Sequence, residues 1–325
     1  MLSIGRLVVG AERYYLHTVA QGREEYYTGS GEAPGIWVGG GSERLGLKGT
    51  VDAQTLSMVL GGMSADGELL GVRRLDPAKR VAGLDLTFSA PKSVSLLYGF
   101  ADEQISSVVR DAHADAVTDA LGYLERRALR VRRGAGGTEL LTAEGLVAAA
   151  FVHRTSRAGD PQLHTHVLFA NLAYGNDGVW SATWPRLFYH HARTAGFLYQ
   201  ASLRARLTDT LGVRFGAVVN GAAELEGISR AVLRGFSTRR QEIEAHLANL
   251  GVQSPAAAQV AALVTRTPKL PAAAGGSEAG LRARWRARAV ELGLDPGSLG
   301  RLLGRHVREP LTEERHRSLV AHLVG

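Results

Sequence analysis

Three histidines lie close together in the stretch FVHRTSRAGDPQLHTHVLFANL: His153, His164 and His166. His164 and His166 sit two apart inside an apolar run, LHTHVLFANL, which reads as a strand. Alternation along a strand turns residues i and i+2 to one face, so both imidazoles point the same way. His153 ends a second apolar run, GLVAAAFVH, and the connection RTSRAGDPQL contains the turn formers Gly159, Asp160 and Pro161. Antiparallel pairing of the two runs predicts His153 beside the other two. Three neutral imidazoles on one face make a divalent-metal site with coordination positions left open, which suits catalysis better than a closed structural centre. Burying that much polar surface with no partner would be costly.

Open positions of that kind suit the oxygens of a phosphate and leave the nucleophile to be found. Water is the default and would make the chain an ordinary metallohydrolase. Tyrosine is the alternative. Aromatic residues make up 6% of the chain, yet Tyr14, Tyr15, Tyr26 and Tyr27 all fall within its first 27 residues. A phenol has a pKa of about 10 and needs a base or nearby positive charge to act as a nucleophile. Taken alone, the doublets read better as alternating packed and exposed rings. Asp85 is the odd residue of GLDLTFSAPKS, a carboxylate flanked by Leu84, Leu86 and Phe88. Buried there without a partner it would be costly, so it should meet a cation or a donor. It could orient a metal-binding imidazole, accept a phenolic proton, or pair with an arginine. Lys92 reads equally as a phosphate contact or a surface residue.

The elements that must position these residues are read from periodicity. Asp52 reads as the N-cap of a helix from about Ala53 to Leu60, ended by Gly61 and Gly62. The preceding segment, TGSGEAPGIWVGGGSERLGLKG, is too glycine-rich for regular structure. GLDLTFSA reads as a buried strand, with Pro91 in the first turn of the next element. Ile105, Val108, Val109, Ala112, Ala116, Ala120 and Leu124 recur at helical spacing, predicting a long amphipathic helix that covers one face of a sheet. The two histidine strands come next, then a turn at NDGVW. Helical patterns dominate beyond about Pro185; one begins with a capping box of Thr238 and Gln241 and stops at Gly251. After PKLPAAAGGSEAG comes an arginine-rich helix around Leu281 to Leu292. This order of elements implies an α+β layer architecture.

The 325 residues suffice for one large domain or two ordinary ones, and the absence of cysteine excludes disulfides and thiolate metal sites. No apolar run approaches the ~20 residues of a membrane span, and no secretory signal precedes the first polar residues, so a cytoplasmic protein is expected. A net charge of +7 favours a polyanionic partner. The cluster RRALRVRR, Arg126 to Arg133, reads as a phosphate-binding edge or a solvated helix end.

Three motifs, in order, are similar to those of the MobF-type conjugative relaxases, the TrwC/TraI-like nicking enzymes of the HUH endonuclease superfamily: the doublets in YYLHTVAQGREEYY, then DLTFSAPKSVSLLYG, then HRTSRAGDPQLHTH. Weaker similarity runs through GFSTRRQEIEAHL to about Gly300. The resemblance implies an enzyme that nicks and rejoins one DNA strand at a plasmid transfer origin, staying joined to its 5′ phosphate through tyrosine. Tyr14 becomes the expected nucleophile and Tyr26 the second tyrosine that ends a round, with Tyr15 and Tyr27 in supporting or alternate roles. His153, His164 and His166 become ligands of a divalent ion, Mg or Mn first, with Zn, Ni or Cu as alternatives. Asp85 becomes the residue that orients a ligand or takes the tyrosine proton, and Lys92, Arg154 and Arg157 candidate DNA contacts. The fold implied is a palm-like antiparallel sheet flanked by helices, with C-terminal helices closing over single-stranded DNA. Residues 1–300 would form this relaxase domain, helical from about 230, and 301–325 a tail or the start of a linker to a helicase domain. The implied partners are single-stranded origin DNA with an adjacent hairpin and a type IV secretion coupling protein, with export to a recipient cell alongside the DNA. A rolling-circle initiator, a single-strand transposase and an origin-binding protein that does not cut are the competing readings.

Overall fold

Alternation between Val81 and Ser89 organises the molecule. Leu84, Leu86 and Phe88 are buried on one side of this strand, while Asp85, Thr87 and Ser89 are half-buried on the other. Its two faces therefore meet different surroundings, rather than both being sealed in a core. The structure is a computed structural model, and it describes residues 1–8, 34–71, 81–156, 158–249 and 278–304.

Among the described residues the principal sheet has five antiparallel strands, in the order β1 (Leu2–Val8), β3 (Val81–Ser89), β7 (Pro161–Ala170), β6 (Ala148–Thr155) and β2 (Ile36–Val38). Helix α4 (Glu103–Ala128) and helix α5 (Arg186–Leu211) pack on each other and cover the back face. The core there includes Leu84, Leu86, Phe88, Leu163, Val167 and Phe169 of the sheet, with Val109, Ala116, Leu124, Tyr199 and Leu203 of the helices. Each fully buried Leu or Phe contributes about 1.5–3 kcal/mol. The long helix predicted from its apolar spacing is α4, started by Asp102, whose side chain accepts from Ile105 N at 2.9 Å.

One end of the front face is apolar. Val147, Ala149, Phe151, Leu168 and Ala170 pack there against Leu56, Val59 and Leu60 of helix α2 (Ala53–Leu60). As its sequence predicts, α2 begins at Asp52, which accepts from Thr55 N at 2.8 Å. It ends in a Schellman turn, Met63 N to Met58 O and Gly62 N to Val59 O, with Gly62 at φ 78°.

The glycine-rich segment corrects its expectation: it contains β2 and a short helix, α1 (Gly40–Arg44). Its glycines serve close approach as well as turning. A Cβ on Gly145, in the turn before β6, would lie 2.1 Å from Gly41 N, and one on Gly35 would lie 2.3 Å from the Phe151 ring. Two further features were not anticipated, β1 and a second sheet. That sheet joins β4 (Arg130–Arg133), β5 (Glu139–Glu144), β8 (Ala173–Gly175) and β9 (Trp180–Ser181). The turn predicted at NDGVW closes its β8–β9 hairpin. RRALRVRR divides between the end of α4 and β4, where Arg133 meets Asp177 and Arg132 stacks on Trp184.

The capping box expected at Thr238 is not formed, although helix α7 (Thr238–Asn249) does begin there. Thr238 turns instead to the β6–β7 hairpin, its N and Oγ1 donating to Asp160 at 2.8 and 3.2 Å, and Gln241 reaches back to the Arg234 carbonyl of helix α6 (Arg230–Gly235). Asp160 is 1% exposed and also pairs with Arg288 of helix α8 (Glu278–Glu291) at 3.0 Å, while Trp285 Nε1 donates to Gly159 O. The C-terminal helices thus clamp the hairpin that carries the histidines. Asp160→Ala is expected to lower unfolding stability, read by urea titration, by about 2–3 kcal/mol. That is below the range of a fully buried pair because Arg288 can reach water.

Candidate metal centre

The register of three strands assembles the site. His153 lies directly opposite His164 across β6 and β7, and Thr87 of β3 lies directly opposite His166. Asp85 and Thr87 are two apart on β3 and share the face of the histidines. The three imidazole centroids form a nearly equilateral triangle, with sides of 5.2, 5.1 and 5.1 Å. One ring nitrogen from each lies within 4.8 Å of the others. His153 is buried, and His164 and His166 are half-buried on the front face.

Hydrogen bonds orient two of the three rings. His166 Nδ1 lies 3.0 and 2.9 Å from the two Asp85 oxygens, so Nδ1–H donates to the carboxylate and Nε2 keeps its lone pair. Thr87 Oγ1 donates to Asp85 Oδ1 at 3.0 Å and steadies it. His164 Nδ1 lies 2.9 Å from Gln162 O, which leaves its Nε2 as the acceptor as well. Three convergent imidazoles, two of them fixed through Nδ1, are a donor set that fits a divalent metal. If Asp85 acts by orienting His166, Asp85→Asn should weaken Mn2+ binding by about 10-fold or more in a calorimetric titration. An unchanged affinity would remove that role.

The site residues inferred from sequence fall into three groups. His153, His164, His166 and Asp85 come together. Lys92 opens helix α3 (Lys92–Phe100), and its Nζ donates to Pro161 O, at the start of β7, at 2.7 Å. Burial lowers its pKa to about 8, opposed by Asp160 and Glu224 and reinforced by Arg288. Arg154 is half-buried beside a register shift in β6. Tyr14, Tyr15, Tyr26, Tyr27 and Arg157 lie outside the described residues. Thr87 and Gln162 were missed, although each stands two residues from a recognised site residue on the same strand, where alternation could have found it.

Comparison with known proteins agrees with this geometry. Residues 9–292 match the family model described as TrwC relaxase. The chain is 35% identical over 257 residues to the multifunctional conjugation protein TraI of Escherichia coli, and 32% identical over 256 residues to TraI of strain K12. Each match covers 76% of this chain but 14% of the relative, so the chain spans a small part of the curated proteins it matches. A copper-bound structure of conjugative relaxase TrwC with oriT DNA superposes with a TM-score of 0.76 at 33% identity. TrwC complexed with a 27-mer DNA comprising the recognition hairpin and cleavage site gives 0.74 at 33%. Both cover 91% of this chain and 100% of the other. Sharing that family model through most of its length, and that fold at a third of identical residues, this chain belongs to the TrwC relaxase family.

Proposed function

We propose that the chain nicks and rejoins one strand of single-stranded transfer-origin DNA by transesterification to a tyrosine. The observation that carries this reading is the convergence of His153, His164 and His166 beside Asp85, on one face of a sheet, in a relaxase-family chain. The relatives solved with oriT DNA, one of them copper-bound, support the same substrate and a divalent ion.

Tyr14 supplies the nucleophile. Its phenolic oxygen bonds to the scissile phosphorus as the P–O3′ bond breaks; the phenolic proton leaves to a base, and the departing 3′ oxygen takes one up. One phosphodiester replaces another, so rejoining needs no ATP. Tyr26 makes the second transfer that ends a round, and Tyr15 and Tyr27 support or substitute for their neighbours. A divalent ion held by the three imidazoles would stabilise the negative charge that develops on the phosphoryl oxygens. Mg or Mn is the first choice, with Zn, Ni or Cu compatible with the same donors. Asp85 orients His166, the role its two short contacts to Nδ1 favour over proton acceptance.

Of the three cations proposed to touch DNA, Lys92 already has its ammonium on Pro161 O, while Arg154 and Arg157 flank His153 in sequence and carry that proposal. The C-terminal helices, clamped to the histidine hairpin, would close over the bound strand, and an adjacent hairpin in the DNA would be held outside the cleavage site. The relaxase unit would span residues 1–300, followed by a tail or linker from 301. A type IV secretion coupling protein is the proposed protein partner, engaged from the cytoplasm before transfer with the DNA. No helix among the described residues is long and apolar enough to cross a membrane.

The test is incubation with an end-labelled origin strand, with Mn2+ or with chelator, followed by denaturing electrophoresis. A slow, protease-sensitive band that needs the metal is expected. Free 5′ ends without a band would indicate a water-using hydrolase, and binding without cleavage an origin-binding protein.

A further inference from the structure

Behind the histidine face lies a buried histidine that the reaction does not use. His113 of α4 is fully buried, and both its ring nitrogens are engaged. Nδ1 lies 2.8 Å from the Tyr199 hydroxyl on α5, and Nε2 lies 2.7 Å from Thr165 Oγ1 on β7. Thr165 is the residue between His164 and His166. Strand alternation turns its side chain to the back face, where it is 3% exposed.

The direction of these hydrogen bonds is set by their surroundings. Burial raises the Tyr199 phenol well above its ordinary value, so it keeps its proton. His113 Nδ1 is the acceptor available to that hydroxyl among the described residues. Burial, with smaller contributions from His164 and the chain amino group, lowers His113 to about 3 and holds it neutral. Its remaining proton is then on Nε2, which donates to Thr165 Oγ1. A directed chain therefore runs from α5 through α4 to the centre of β7.

The geometry points to His113, backed by Tyr199, as a positioning residue that sets the aim of His164 and His166 by gripping Thr165 from behind the sheet. The inference rests on the reading of the three imidazoles as a metal site. Pairing with β3 and β6 fixes the register of β7. Where the side chains at 164 and 166 point also depends on the local rotation of the strand about its axis, and that rotation is shared with residue 165. A hydrogen bond on one side of the strand restrains both side chains on the other. The contrasting view is that the buried network supports stability alone.

Three variants separate the two views. Thr165→Val keeps the volume and removes the hydroxyl, Thr165→Ser restores it, and Tyr199→Phe removes one oxygen from the far end. The probe is Co2+ titrated into the full chain, read as a dissociation constant and as the visible absorption spectrum, which reports the geometry around the ion. Thr165→Val is expected to weaken Co2+ binding by about 10-fold and to alter the spectrum. Thr165→Ser should recover both, and Tyr199→Phe should shift both in the same direction by a smaller step. Folded variants with lowered melting temperatures but wild-type affinity and spectrum would overturn the inference. If Thr165→Val fails to fold, Tyr199→Phe decides by the same readouts. A wild-type chain that binds no Co2+ would instead remove the metal reading, and this inference with it.

Discussion

Tyr14→Phe is expected to reduce the covalent protein–DNA adduct to background on a single-stranded origin oligonucleotide. Phenylalanine keeps the ring but lacks the oxygen that would bond to phosphorus, so the loss is one of chemistry and not of binding. Removing a covalent nucleophile costs on the order of 10⁴–10⁶ in rate, far more than any positioning effect here. DNA affinity, read by fluorescence anisotropy, should stay within about 2-fold of wild type, because no charge changes. Tyr26→Phe should leave the first adduct intact and impair only the second strand transfer. Wild-type adduct yield from Tyr14→Phe would reject Tyr14 as nucleophile and move attention to Tyr15.

His164→Ala should abolish metal-dependent nicking while leaving the fold and DNA affinity nearly intact. It removes one of three converging donors, and loss of an outer partner of a ligand already costs about 10–100-fold in metal affinity. Removing the donor itself should therefore exceed 100-fold in a Mn2+ titration. His164 is half-buried and not part of the apolar core among the described residues, so the change in unfolding free energy should be about 0.5 kcal/mol. The separation between a large metal effect and a small stability effect is the informative result. Nicking that survives with wild-type metal dependence would exclude His164 from the site.

Much of this centre is legible in the chain because strand geometry is strict. The period of two places His164 with His166, and Asp85 with Thr87, without reference to anything distant. The turn formers at Gly159, Asp160 and Pro161 join the strands that bring His153 opposite His164. Helices with a cap and an apolar stripe, such as α2 and α4, are equally local. The glycine-rich segment misleads for a related reason. Composition reports the freedom of a glycine but not whether a neighbouring backbone fills the space where its Cβ would be. Gly41 and Gly145 meet across 104 positions of sequence, from Gly41 to Gly145, and no local pattern announces it. Thr238 misleads in the same way: its spacing from Gln241 fits a cap, yet a buried carboxylate from a distant hairpin takes its hydrogen bonds.

What the amino-acid order determined by itself was the identity of the candidate donors, the face each would occupy and the α+β class, since these depend on short-range periodicity and on the few residue types that ligate metals. Only the tertiary structure decided that Asp85 reaches His166 Nδ1, that Asp160 ties the histidine hairpin to the C-terminal helices, and that His113 stands behind Thr165. Those contacts join residues far apart in the chain. They exist because an antiparallel sheet and two packed helices leave each buried polar group few partners, and burial makes going without one costly.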